Sequence, residues 1–337
     1  MPGLWGAYRL RWKRRRFLFR IWRKRKQIKP LQNSIAEVAQ DAILVFATMR
    51  NEMVRLPHFL AHYRALGVDH FLIVDNGSDD GTVAYLADQP DVSVWQTQKS
   101  YRLARFGMDW VGWLQWRYGH DHWCLTVDAD ELLIYPDHDA KDLKALTAWL
   151  DGKGISSMGA LMLELYPDGP IQDVQYTPGD DPTEVLCWYD ADNYTQQYHP
   201  YYGNLWIQGG VRRRVFFDRE PARAPTLSKT PLVRWNRRFA YVSSTHQILP
   251  RYLHDVFDPE GQTKVTGVLL HTKFLPVIAE KSAEELTRQQ HFQNSEAYVT
   301  YHQQLTENPD LWHKTAQRYE GAEKLIAQGL MSKGDWV

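Results

Sequence analysis

From residue 42 onward, unbroken apolar runs alternate with segments whose apolar positions recur every three or four residues. AILVFATM (42–49), HFLIVD (70–75), VSVWQT (92–97) and HWCLTVDADELLIYP (122–136) read as buried strands. Between them, VRLPHFLAHYRALG (54–67) sets Leu56, Phe59, Leu60, Tyr63 and Leu66 at helical spacing, with Gly67 as the stop signal. VAYLAD (83–88) and the Trp-rich MDWVGWLQWRYG (108–119) read as two further helices. Buried strands alternating with amphipathic helices predict an α/β fold, with a mixed, mainly parallel, Rossmann-like sheet flanked by helices. GALMLELYPDGP (159–170) adds a strand, and residues 171–205 have little periodicity. GGVRRRVFF (209–217) reads as a Gly pair followed by a strand, with Arg212 and Arg214 on one face and Arg213 on the other. Residues 280–304 and 309–330 read as closing helices, with Leu286, Phe292, Tyr298, Tyr301, Leu305, Tyr319, Leu325 and Ile326 as core contacts.

In sheets of this kind ligands bind beyond the carboxyl ends of the strands. Arg50, Asn51 and Glu52 leave the first strand, and Asp75, Asn76, Ser78, Asp79 and Asp80 leave the second. Asp128 and Asp130 leave the last. Each cluster alone is ordinary turn chemistry. Three clusters at three strand ends predict one shared ligand site. Asp128, Asp130 and Glu131 crowd three carboxylates into four positions, which repel unless a cation compensates. On an extended segment Asp128 and Asp130 share a face, and the simplest group opposite them is a divalent metal carrying a diphosphate.

Composition changes this picture at one end only. The 337 residues carry 40 basic and 40 acidic side chains, yet residues 1–30 hold 12 of the basic ones and no acid. The remainder therefore carries 28 basic against 40 acidic groups, a net of −12. The basic arm interleaves its cations with Trp5, Tyr8, Trp12, Phe17, Phe19 and Trp22. The leading reading is a helix lying on an anionic membrane surface. A solubilising tail and a nucleic-acid-binding arm are its rivals. No apolar run is long enough to span a bilayer, and Cys124 and Cys187 are no disulfide framework. A reducing, cytoplasmic setting is expected.

The strand ending in RNE, then IVDNGSDDGT, then VDADE, in that order, resembles family 2-type glycosyltransferases of the GT-A fold. A bacterial branch with a DNGSDDGT and VDADE pattern, a later GGVRRRVF and a LLHTKFL segment is the nearer likeness, over residues 42–275. The resemblance implies a nucleotide-diphosphate sugar donor, a UDP-sugar before others, with a Mn²⁺ or Mg²⁺ ion and inversion at the anomeric carbon. It implies that Asp75 reads the base, and that Arg50, Asn51 and Glu52 line the nucleotide pocket together with Asn76 and Asp79. Asp128 would meet ribose and metal, Asp130 the metal, and His271 would complete the metal site. The expected organisation is an arm (1–40), a catalytic domain (41–275) and a C-terminal helical segment (276–337). The expected setting is the inner face of a bacterial plasma membrane, where the enzyme builds a surface glycan on a glycan or lipid-linked acceptor.

Two positions rest on weaker pattern. Arg212 is a diphosphate contact, because Arg forks suit phosphate. No clear acidic pair for a catalytic base follows the D-x-D; Glu164 is chosen over Asp168, Asp190, Asp192 and His246 because it leaves a neighbouring strand. Three other readings stay in view. The chain could be an inactive module of the same fold, tethered to membrane or nucleic acid by its arm. It could be a D-x-D phosphatase, although Glu131 and two preceding ligand-bearing strands speak against that. A nucleotidyltransferase would need a Gly- and Lys-rich first loop, which is absent.

Overall fold

The computed structural model describes residues 3–35, 38–258, 263–288 and 295–336. Its strands are β1 (Lys29–Gln32), β2 (Ile43–Met49), β3 (His70–Asp75), β4 (Val92–Gln96), β5 (Trp123–Thr126), β6 (Glu131–Ile134), β7 (Ser157–Glu164), β8 (Trp188–Tyr189), β9 (Thr195–His199), β10 (Asn204–Gln208), β11 (Ser228–Arg234), β12 (Ala240–Ser243), β13 (Gln247–Leu249), β14 (Thr266–His271) and β15 (Gln317–Arg318). The helices are α1 (Leu4–Lys24), α2 (Leu56–Ala65), α3 (Thr82–Ala87), α4 (Met108–Tyr118), α5 (Leu143–Gly152), α6 (Gly210–Phe216), α7 (Val277–Arg288), α8 (Ser295–Thr306) and α9 (Ala322–Ala327).

Nine strands form one mixed sheet in the order β1-β4-β3-β2-β5-β11-β7-β14-β6. The ladders make β4, β3, β2, β5, β7 and β14 run in one direction and β1, β11 and β6 against it. The mainly parallel, helix-flanked α/β sheet expected from the alternation is therefore present. Its apolar runs are continuous because both faces are covered. Val45, Ala47, Phe71 and Ile73 face Phe59 and Tyr63 of α2 and Leu146 and Leu150 of α5. Their neighbours Leu44, Phe46, Leu72 and Val74 face Trp110 and Leu114 of α4 on the other side. The period of two assigns each residue to its layer.

Three local readings change. The run 122–136 is not one strand: it breaks after Thr126, turns through Val127–Asp130, and resumes as β6 at the far edge of the sheet, paired with β14. Asp128 and Asp130 therefore sit in a turn, not side by side on a pleated face. GGVRRRVF forms the helix α6. Its first N–H groups find distant acceptors: Gly210 N–H donates to Asn193 Oδ1 (2.7 Å) and Arg212 N–H to Glu164 Oε2 (3.1 Å). Those partners satisfy donors that a helix start leaves open, so the segment turns where alternation predicts extension. Of the two closing helices, the first is seen as α7 and α8, whereas residues 309–330 are mainly irregular, with β15 paired to β8 and one short helix, α9. Phe292 lies outside the described residues.

The arm keeps its helical reading. It is a 21-residue helix, α1, packed against α4 and β12. Ile21 enters a space that Gly112 leaves open, since a Cβ there would come within 2.8 Å of the Ile21 side chain. Asp109, fully buried on α4, is held between Arg20 Nε (2.6 Å) and Arg105 Nε (2.7 Å). Trp110 Nε1–H donates to Gln27 Oε1 (3.0 Å).

Candidate functional site

The carboxyl ends of β2 and β3 are stitched together by the polar residues that leave them. Asp75 accepts from the N–H groups of Gly77 (3.0 Å) and Ser78 (3.2 Å), which closes the turn. Asn51, in the left-handed region at φ 52°, exchanges side-chain and backbone hydrogen bonds with Asp79 and donates its own N–H to Ser78 Oγ. Met53 N–H donates to Asp80 Oδ2 and Glu52 N–H to Thr82 Oγ1. Asp75, Asn51 and Asp79 thus hold the two loops in register and do not line the cavity beside them. Arg50, Glu52 and Asn76 do line it.

That cavity, of about 360 Å³, opens between these strand ends, the acidic turn, β11 and α7. Its volume suits a small ligand. At its floor Asp130 Oδ2 lies 3.2 Å from His271 Nε2, and Glu131 is buried against the Lys229 ammonium. Asp128 is half exposed, with its carboxylate 3.5 Å from the same ammonium. One ligand atom each from Asp130, Glu131 and His271 can be chosen so that all lie within 4.8 Å of one another. Asp128, expected in the metal site, is not in that set, and Glu131 is.

The charge crowding of the acidic turn is answered in two places. Lys229 arrives from β11 to meet Asp128 and Glu131, and burial that would strip its proton is outweighed by those carboxylates, which raise its pKa. Burial also pushes up the Asp130 carboxyl, but His271, Arg55 and Lys273 outweigh it and hold it well below the usual carboxylate range. His271 itself is driven down, by burial first, and an imidazole can ligate when neutral. Its Nδ1 has no hydrogen-bond partner among the described residues and lies 3.9 Å from Glu164 Oε1. Two oxygens and an imidazole nitrogen, with a carboxylate behind the imidazole, fit a Mn²⁺ or Mg²⁺ ion.

Glu164 sits behind the cavity wall rather than in it. Its side chain is fully buried, paired with the Arg212 guanidinium and accepting the Arg212 N–H as well. A carboxylate so engaged, with no opening to the cavity, is badly placed to take a proton from a substrate. Arg212, a cavity residue, points Nε at Glu164, and its buried Nη2 has no hydrogen-bond partner among the described residues. Among the other base candidates, Asp190 is tied to Arg214 (2.8 Å) and Tyr166 (2.6 Å), and Asp168 and Asp192 are not cavity residues. His246 is one. Its Nδ1–H donates to the Ser228 carbonyl (2.8 Å), which leaves Nε2 as the lone-pair nitrogen, with no partner among the described residues. Burial, then Lys229, pushes it down to about 3, so it is neutral.

Sequence pattern missed how much of the wall comes from the C-terminal segment. Ile278, Lys281 and Glu284 of α7 and Tyr301 of α8 line the cavity. Lys281 pairs with Glu52, and Glu284 with Arg50 (3.0 Å), so α7 is clamped onto the end of β2. Lys273 also lines it, 5.5 Å from the Tyr301 ring centroid. The signal for Lys273 is in HTKF, two residues beyond His271.

No family model matches the chain, and no curated protein matches it. Among solved structures, one similar chain is named as a glucose-1-phosphate thymidylyltransferase from Bacillus anthracis, at 10% identity and a TM-score of 0.26. The match covers 40% of this chain and 60% of that one. A 4-diphosphocytidyl-2C-methyl-D-erythritol synthase matches at 17% identity and a TM-score of 0.26, over 42% of this chain and 67% of that one. At those scores neither likeness enters the reading of the site.

Proposed function

We propose that this chain is a metal-dependent, inverting glycosyltransferase that moves a sugar from a nucleoside-diphosphate donor to a hydroxyl of a glycan or lipid-linked acceptor. The observation that supports it most is the close set of Asp130, Glu131 and His271 in a cavity that also presents Arg50, Arg55, Arg212 and Lys273. Asp130 and His271, with Glu131 beside them, would hold a Mn²⁺ or Mg²⁺ ion, which supplies countercharge to a diphosphate leaving group. Glu164, with Oε1 3.9 Å from His271 Nδ1, would stand behind that ring as a positioning charge.

In the transfer, the acceptor oxygen attacks the anomeric carbon from the side opposite the diphosphate. The bond from that carbon to the β-phosphate oxygen breaks, and its electron pair leaves on the phosphate. Lys273 and Arg212, whose Nη2 has no hydrogen-bond partner among the described residues, would meet that charge. The acceptor proton passes to His246 Nε2, the neutral acceptor in the cavity wall. A base held at about 3 is weak, and the anionic donor entering beside it raises its basicity by stabilising the imidazolium.

Calorimetric titration with UDP, GDP and deoxythymidine diphosphate, each with Mn²⁺ and with chelator, tests the donor side. One diphosphate should bind in a metal-dependent manner, and Asp130→Ala should weaken it by about 10–100-fold. His246→Gln should leave that binding intact, because the base meets the acceptor. No binding of any diphosphate to folded protein would overturn the proposal, and binding indifferent to chelator would overturn its metal.

A further inference from the structure

The outward face of α1 is unlike the rest of the surface. Of the thirteen large hydrophobic residues that are exposed among those described, six lie on this one 21-residue helix. Leu10 and Ile21 point to the body, eleven positions apart and so on one side. Trp5, Tyr8, Trp12, Phe19 and Trp22, spaced three, four, seven and three apart, form the opposite side, 71, 50, 53, 58 and 49% exposed. A helix that needed only to pack would be apolar on one side. This one is apolar on two.

The second stripe is studded with cations. Arg15 lies 5.6 Å from the Trp12 ring centroid, Arg23 6.0 Å from Phe19 and Arg25 4.0 Å from Trp22. Through Arg25, 6.0 Å from Trp113, the stripe continues onto α4, where Trp113 stacks on Trp116 and Arg237 covers Trp116. Among the described residues, Arg20 is the α1 cation with a carboxylate partner. Uncompensated positive charge and amphipathic rings at one level match a surface that is negative at the top and apolar just below.

We propose that this face docks on an anionic lipid bilayer, with α1 in the plane of the headgroups, Trp, Tyr and Phe below the phosphates and the arginines among them. The helix, about 31 Å long at 1.5 Å per residue, is already folded on the body, so docking costs little ordering. Nucleic acid is the poorer occupant. Binding bases would require open ring faces, and here Trp5 stacks with Tyr8 (5.7 Å), Phe19 with Trp22 (5.9 Å), and guanidinium groups cover others. The cavity lies close to this face, since α1 packs on β12, and Ser244 and His246, just beyond that strand, line the cavity. The inference stands whether or not the cavity transfers a sugar.

Co-sedimentation of the full chain with vesicles tests it, using phosphatidylcholine alone and phosphatidylcholine with about a third phosphatidylglycerol. Binding should require the anionic lipid and fall as salt is raised. Arg15→Gln with Arg23→Gln should weaken it roughly 30-fold, and Trp5→Ala with Trp12→Ala and Trp22→Ala should abolish it. All five side chains are exposed, so circular dichroism should be unchanged in both variants. Absence of vesicle binding by the wild type, binding undiminished in the variants, or capture of a single-stranded RNA probe with vesicles ignored would each overturn the proposal.

Discussion

His254 should make the β12–β13 pair acid-labile, and the effect can be worked from its hydrogen bonds. Nδ1–H donates to the Tyr202 carbonyl (3.0 Å), and Nε2 accepts the Ile248 N–H (2.7 Å). The ring is buried and must be neutral, because a proton on Nε2 would displace the Ile248 bond. Burial is the main cause that lowers its pKa from 6.5 to about 4, with Arg251 adding to it. Between those values the unfolded chain binds a proton that the folded chain refuses, so stability falls with acidification by about 1.4 kcal/mol per pH unit. The contribution is fully present above pH 6.5 and fully lost below about 4. From pH 7 to pH 5 the loss comes to about 2 kcal/mol. In His254→Gln that component is gone: the variant starts less stable at pH 7, for want of one or both bonds, yet should lose about 2 kcal/mol less than the wild type on going to pH 5. Urea denaturation of both proteins at the two pH values measures the difference. Equal losses would refute the reasoning, since they would mean that His254 titrates alike folded and unfolded.

Two other perturbations bear on the packing beneath the site and the arm. Lys229→Met leaves Glu131 and Asp128 without their ammonium and should cost on the order of 3 kcal/mol, with Glu131→Gln added to it restoring part of the loss; urea midpoints of the two singles and the double variant would read the coupling. Asp109→Asn removes the carboxylate shared by Arg20 and Arg105, should cost about 3 kcal/mol, and should speed tryptic cleavage within α1 ahead of the body.

What the sequence showed and what it hid divide by the range of the interactions responsible. β2 and β3 are legible because burial on both faces writes each as one unbroken apolar run, and the two faces match two layers of helix. The strand-end clusters are legible too, yet their roles are not. Asp75, Asn51 and Asp79 are drawn into loop hydrogen bonds whose partners lie in each other's segments, and the same residue types would serve a turn or a ligand equally. Three arginines in a row fit strand and helix alike, and α6 forms because Glu164 and Asn193, 48 and 17 positions away, accept its first N–H groups. Glu164 is turned away from the cavity for the same reason that α6 exists: one buried carboxylate starts the helix, holds Arg212 and stands behind His271. The three carboxylates of the acidic turn are compensated by Lys229, a cation about a hundred residues later inside an apolar strand, and by His271 in a strand that pairs beside it. A local pattern can announce that a cation is owed. Only the sheet order, which sets β11 beside β5 and β14 beside β6, decides which side chain supplies it.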